Sequence, residues 1–251
     1  MNELIYYDLK DASGVAPGLA TQVSRELGRR IVGGYYKEDA LIEDENKLCD
    51  RFGVSKSVVR EAVKLLVGKG LLEVRRGSGT RVRRRPSWAM LDDDVLAWHL
   101  SVDPKPGFLR QLMDIRRMME PKAAAWAAEF GSDEALHKIE VAQIQMEEEQ
   151  GSVQDFVVAD ALFHRAILRA ANNELLRSME GVIFSALLSS IKLTNADPRE
   201  NESSIPFHRE VRDAICSRDS KAAEQKMHEH LADTSDRLSA AIKGFDRPER
   251  C

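Results

Sequence analysis

Apolar residues recur at helical spacing along most of the chain. In TQVSRELGRRIV (21–32), Val23, Leu27, Ile31 and Val32 share one face, and Gly33-Gly34 closes the segment. A second helix is predicted from about Asp44 to Phe52. A third runs from Ser55 to Gly68, with Val58, Val59, Ala62, Leu65 and Leu66 as its apolar face. LLEV (71–74) and TRVRR (80–84) then read as two short strands around the turn RRGSG, and Pro86 ends the pattern. Helix, helix, turn, helix, hairpin is the order of a winged helix. Residues 1–19 carry no clear period, and Gly and Pro at 14–18 read as a loop.

Beyond residue 88 every segment has the helical period: 92–100, 107–130, 133–149, 153–171, 174–195, 206–217 and 220–243. Short connections at Gly131-Ser132, Gly151-Ser152 and Ser217–Ser220 predict antiparallel neighbours. The expected fold is mainly α. An N-terminal winged helix-turn-helix with a short β-hairpin (1–87, core 20–83) precedes a hinge (88–105), a C-terminal all-α antiparallel helical bundle (106–244) and a tail (245–251). Around it, from about 84 to 104, the chain is Arg-rich, then carries Pro86, Asp92-Asp93-Asp94 and Pro104, with Pro106 just beyond.

Composition narrows the class. Of 251 residues, 43% are hydrophobic and 31% charged, which suits a globular and not a disordered chain; aromatics are only 6%, which favours helix over sheet. The most apolar stretch, Gly181–Leu193, is too short to span a bilayer and is broken by serines and Lys192. The N-terminus lacks a basic segment followed by an apolar one, so no signal peptide is expected, and the expected location is a bacterial cytoplasm. Three scattered cysteines exclude a disulfide framework.

The net charge of −4 conceals an asymmetry. Residues 1–87 hold 17 Lys and Arg against 12 Asp and Glu, whereas 88–251 hold 20 against 29; within 54–85 the ratio is 10 to 2. A basic block on an acidic chain points to an anionic partner, nucleic acid first, or else to a solvated charged face.

That block contains DENKLCDRFGVSKSVVREA. A helix-turn-helix needs a small residue where the helices cross, and Cys49 is there. Four residues on it needs a glycine for the left-handed turn, and Gly53 is there; six further on, Val59 can anchor the second helix. Ser55 is the candidate N-cap, leaving Lys56, Ser57 and Arg60 exposed on the first turns, where a recognition helix meets base edges and phosphates. The wing offers Arg75, Arg76, Gly77, Gly79 and Thr80 for phosphate or minor-groove contact. The plainer alternative is a three-helix core with a charged surface.

In the helical region, Asp160 and His164 lie four apart and so share a face, among apolar neighbours. A buried Asp–His pair can be a structural hydrogen bond. His208, opening one helix, and His230, on the next, add a second possibility: three His and one Asp from three helices can hold a divalent ion, Zn²⁺ or similar. Arg116 is either an ion-pair partner of Glu120 at i+4 or a clamp for an anion.

LIEDENKLCDRFGVSKSVVREAVKLLVGKGLLEVRRGSGTRV closely resembles the winged helix of GntR-family bacterial transcription regulators. The resemblance includes V-R-E-A, the KGLLEV strand entry and the G-x-G-T wing. One departure is Asn46, standing where relatives often carry a DNA-touching Arg. Residues 108–240 resemble the FCD ligand-binding domain of the FadR subfamily. Its metal-binding branch carries Asp-x3-His, a His opening the penultimate helix and a His on the last, matched by Asp160, His164, His208 and His230. Its Arg in R-x-x-L-E is matched by Arg116, and its D-x-x-F-H…N pattern ends at Asn173. RPSWAMLDDDVLAWHL is similar to the inter-domain region of sugar-acid regulators.

The resemblance implies a homodimeric regulator, a repressor by expectation, on double-stranded DNA with an inverted-repeat operator. A small carboxylate or sugar acid would control it from a pocket with one divalent ion per chain, zinc favoured and manganese or nickel as alternatives. Arg116 would clamp the acid and Thr194 or Ser189 would reach its hydroxyls. Two rival readings are a metal-dependent hydrolytic enzyme fused to a DNA-binding head, and an architectural DNA-binding protein without an effector.

Overall fold

A computed structural model describes residues 2–10, 17–103, 105–148, 153–194 and 204–245, with side chains excepted at 2, 153, 154 and 191–194. The chain divides into two compact units. The first runs to Asp103 and the second begins at Pro104, with Asp8–Lys10 counted in the second.

α1 (Asn2–Leu9), of which residues to Tyr7 count in the first unit, is followed there by α2 (Leu19–Val32), α3 (Glu45–Phe52) and α4 (Lys56–Gly68). The apolar stripes meet as their spacing requires: Leu27 and Ile31 of α2, Leu48 of α3, and Val59, Ala62 and Leu66 of α4 form one core. Asp44 caps α3, its Oδ1 accepting from the Lys47 backbone N–H at 3.0 Å. Gly53 follows at φ 63°, the left-handed conformation a helix-turn-helix needs. Ser55 does occupy the N-cap position of α4, but its hydroxyl pairs with Ser57 Oγ at 2.8 Å instead of capping a backbone N–H.

Strands β1 (Leu72–Arg75) and β2 (Gly79–Val82) pair antiparallel, with Leu72 opposite Val82 and Arg75 opposite Gly79. Gly77, at φ 77°, makes the tight turn between them. A 3₁₀ turn at Arg85–Ser87 leads to α5 (Asp93–Ser101).

The stretch expected as a hinge therefore contains a helix that belongs to the first unit. Val95 to Leu100 are all buried, and Trp98 joins the core. Gly28 of α2 is what lets Trp98 in: a Cβ there would lie 2.3 Å from the indole ring. The ambiguous N-terminus is also helical in part. Tyr6 and Tyr7 of α1 donate to Asp93 and Asp94 of α5 at 2.7 and 2.6 Å.

The second unit is a helical bundle of α6 (Pro106–Phe130), α7 (Asp133–Glu148), α8 (Val153–Ala170), α9 (Glu174–Ser178), α10 (Glu180–Thr194), α11 (Ser204–Cys216) and α12 (Ser220–Ala241). α6 is central, packing on α8, α10, α11 and α12. The single helix expected over 174–195 is two, interrupted at Met179. Asn173 caps α9, accepting from the N–H groups of Leu175 and Leu176 at 3.0 Å each. No described helix is long and apolar enough to cross a membrane.

Candidate functional site

Two groups of residues carry the chemistry, one in each unit. In the first, α3, α4 and the wing enclose an open groove of about 700 Å³ lined by Arg60, Arg75, Arg76, Gly77, Gly79 and Thr80. Asn46, Ser55, Lys56, Ser57, Arg60, Arg75, Arg76, Gly77 and Gly79 are exposed, and Thr80 is half-buried. Of the sequence candidates the groove gathers Arg60 with the wing residues Arg75, Arg76, Gly77, Gly79 and Thr80; Asn46, Ser55, Lys56 and Ser57 are exposed but do not line it. Glu45, which the sequence reading did not single out, also lines it. Its carboxylate takes both the Nε and Nη2 of Arg60 at 2.9 Å.

In the second unit, the helical faces bring four predicted residues together. α8 presents Asp160 and His164, α11 presents His208, and α12 presents His230; their relative exposures are 8%, 0%, 1% and 3%. Ligand atoms of the three histidines lie within 4.8 Å of one another. Asp160 Oδ1 sits 3.2 Å from His164 Nε2 and 3.2 Å from His208 Nε2. The His230 ring lies 4.2 Å from that of His208 and stacks on His164 at 5.4 Å. Phe163 packs edge-on against both His164 and His208.

The proton positions are informative. His208 Nδ1 lies 2.7 Å from the Ser204 carbonyl, which can only accept, so Nδ1 carries the hydrogen. In the neutral ring Nε2 would then point a lone pair at the Asp160 carboxylate, acceptor against acceptor, so a second ring proton or a cation must lie between them. His230 Nδ1 is buried with no hydrogen-bond partner among the described residues. An arrangement of converging lone pairs, a buried carboxylate and an orphaned ring nitrogen is what a divalent cation satisfies, and the donor set suits zinc, manganese or nickel. The residues present fit a metal ion.

Arg116 of α6 lies against this cluster. It is 1% exposed, and its Nη2 is 3.4 Å from His164 Nε2. Its Nε donates to Glu120 Oε1, so the ion pair expected at i+4 is present. Glu120 is itself fully buried, and its other oxygen, Oε2, lies 2.5 Å from His164 Nδ1. That oxygen sits off the axis of the ring N–H, so the contact is close but not an aligned hydrogen bond. Only the tertiary contact between α6 and α8 reveals this second partner of Glu120.

Electrostatics follow from the burial. Burial alone would raise the Glu120 carboxyl, but the Arg116 guanidinium and the His164 ring outweigh it and hold it at about 2. Burial would likewise raise Asp160; the His164 and His208 rings hold it well below the usual carboxylate range. Burial and then the neighbouring His208 and His164 push His230 well below the usual imidazole range, which leaves one ring nitrogen with a lone pair to offer. The Thr194 side chain lies outside the described residues. Ser189 and Ser185 on α10 are buried, and neither hydroxyl has a partner among the described residues. His137 and His228 are exposed; His99 packs in the first unit, its Nδ1 2.7 Å from the Val95 carbonyl.

Comparison with known proteins decides what carries these two groups. Residues 19–82 match the bacterial regulatory proteins of the gntR family, and residues 111–233 match the FCD domain. The galactonate operon transcriptional repressor of Escherichia coli is 32% identical over 213 residues, covering 84% of this chain and 93% of that protein. The chain belongs to the GntR family.

It is a GntR-type transcription regulator with an FCD domain, and its relatives are regulators and not enzymes, which sets aside the hydrolytic reading. The Glc operon transcriptional activator of Escherichia coli is 25% identical over 218 residues, covering 83% of this chain and 84% of that one. A solved structure of Lar, described as controlling expression of the Listeria monocytogenes agr system, shares the fold with TM-score 0.63 at 19% identity, covering 90% of this chain and 99% of that one. Regulators of this family bind DNA and small-molecule effectors, typically as dimers.

Proposed function

We propose that this GntR regulator is a homodimeric repressor released from its operator by a small organic acid, in the sugar-acid class, bound at a metal centre in the helical unit. The observation that carries the reading is the buried convergence of His164, His208 and His230 on Asp160, with Arg116 alongside. One divalent ion per chain, zinc favoured, would be held by those four residues and would supply positive charge and open coordination positions for a carboxylate. Arg116 adds a second cationic group on the same side, and its planar fork matches a carboxylate. The unpartnered hydroxyls of Ser185 and Ser189 favour an effector that itself carries hydroxyls, because α10 packs against α6 and α8, which bear Arg116, Asp160 and His164. The name of the galactonate operon repressor supports the same class.

In the first unit, Lys56, Ser57 and Arg60 would enter the major groove of an inverted-repeat operator. Arg75, Arg76, Gly77, Gly79 and Thr80 of the wing would take phosphate or the minor groove, and Asn46 and Ser55 the flanking backbone. The groove lined by Arg60 and the wing residues supports this assignment.

The deciding experiment combines elemental analysis of protein purified without chelator with operator gel shifts in the presence of galactonate, gluconate and lactate. The expected result is about one divalent ion per chain and release of DNA by a sugar acid, abolished by chelator. Metal-free protein, or release indifferent to every acid tried, would overturn the reading.

A further inference from the structure

Glu120 is fully buried and touches two side chains at once, Arg116 Nε through Oε1 and His164 Nδ1 through Oε2. A carboxylate removed from water is costly unless both oxygens have partners, so this placement is a demanding one. Its consequence lies at the far side of the imidazole. A carboxylate oxygen 2.5 Å from Nδ1 favours the hydrogen on that nitrogen, although the N–H is not aligned with it, and Arg116 Nη2, which can only donate, faces Nε2 at 3.4 Å; the neutral ring then has its lone pair on Nε2, the atom 3.2 Å from Asp160 Oδ1. His208 is set the same way by a different acceptor, the Ser204 carbonyl on Nδ1. His230 has no such partner on Nδ1. The same carboxylate also holds the guanidinium whose Nη2 lies 3.4 Å from His164 Nε2.

We infer that Glu120 is the positioning residue of the metal centre: it fixes the tautomer and orientation of His164 and, through its other oxygen, the pose of Arg116. This rests on the proposed metal site. An outer carboxylate on a ligating histidine raises ligand basicity and removes the freedom of ring flips, and losing one lowers metal affinity roughly 10- to 100-fold. Because one side chain serves both the ligand and the anion clamp, their geometries are not independent.

The test is zinc affinity of the full chain by competition with a chromophoric chelator, for wild type, Glu120→Gln and Glu120→Asp. It is paired with long-range ¹⁵N spectra of the imidazoles, which report the protonated nitrogen of His164. The amide of Glu120→Gln keeps the shape but loses the charge. Glu120→Asp keeps the charge but is one methylene too short to span both partners. The expected result is a roughly 10- to 100-fold weaker zinc affinity for both variants. In wild type a single His164 tautomer with hydrogen on Nδ1 is expected, and a mixture in the variants. If Glu120→Gln fails to fold, Glu120→Asp decides. Wild-type zinc affinity and a single His164 tautomer in the folded variants would overturn the inference while leaving the metal site standing. Wild-type protein that binds no zinc would overturn both.

Discussion

Arg60 and Glu45 form a two-pronged ion pair across the helix-turn-helix, from the second turn of α4 to the first residue of α3, with N–O distances of 2.9 to 3.1 Å. Both side chains are exposed on the groove face. Exposed pairs contribute little to stability, so this one matters for what Arg60 can do on DNA more than for folding. Arg60→Ala is expected to weaken operator binding roughly tenfold or more while leaving the fold intact. Glu45→Gln removes a negative charge from that face and frees Arg60, so non-operator DNA should bind more tightly and discrimination should fall. Fluorescence anisotropy on operator and scrambled duplexes at two salt concentrations reads both effects. Unchanged affinities in both variants would remove 55–68 from the role of recognition helix.

Metal should add to folding free energy, because the four groups come together only in the folded bundle. His208→Ala and His230→Ala are expected to lose bound metal and to lower Tm together, and chelator should lower Tm in wild type alone. At a free ion concentration near 100 times Kd the stabilisation is about 2.7 kcal/mol. Thermal unfolding with matched elemental analysis checks this; a Tm indifferent to chelator would return the cluster to a buried hydrogen-bond network.

Arg116→Ala would strand the buried Glu120 carboxylate, and breaking a buried pair in this way costs about 3–5 kcal/mol. Arg116→Lys is the cleaner variant, since it keeps the charge but lacks the fork. It should bind operator DNA nearly as wild type does and respond weakly or not at all to the acid. Release from DNA at the wild-type acid concentration would confine Arg116 to its ion pair with Glu120.

Gly28→Ala reverses a familiar sign. Alanine in a helix interior usually stabilises by about 1 kcal/mol over glycine. Here the added Cβ meets three ring atoms of Trp98 at 2.3 to 2.6 Å, so something must move. Overpacking of this kind costs about 1–3 kcal/mol. Denaturant unfolding followed by tryptophan fluorescence should show a lower midpoint; a raised one would mean that the α2–α5 contact is loose.

Local chemistry was legible in the amino-acid sequence. The stripes of α2, α4 and α6, the turn at Gly53, the wing and the i,i+4 pairing of Asp160 with His164 all follow from periods that a chain carries within a few residues. Arg116 with Glu120 was legible too, as a pair. What tertiary structure decided is where those faces meet. His208 and Asp160 are 48 residues apart, as are Arg116 and His164, and no periodicity encodes such contacts. The break at Met179 and the burial of α5 depend likewise on neighbours: a run of apolar residues such as Val95–Leu100 can be a linker or a core helix, and the space left beside Gly28 for Trp98 makes it a core helix. Glu120 shows the difference best. Its spacing fixes one partner on its own helix, while its second, on α8, exists only because α6 and α8 pack together in an interior that leaves neither carboxylate oxygen to water.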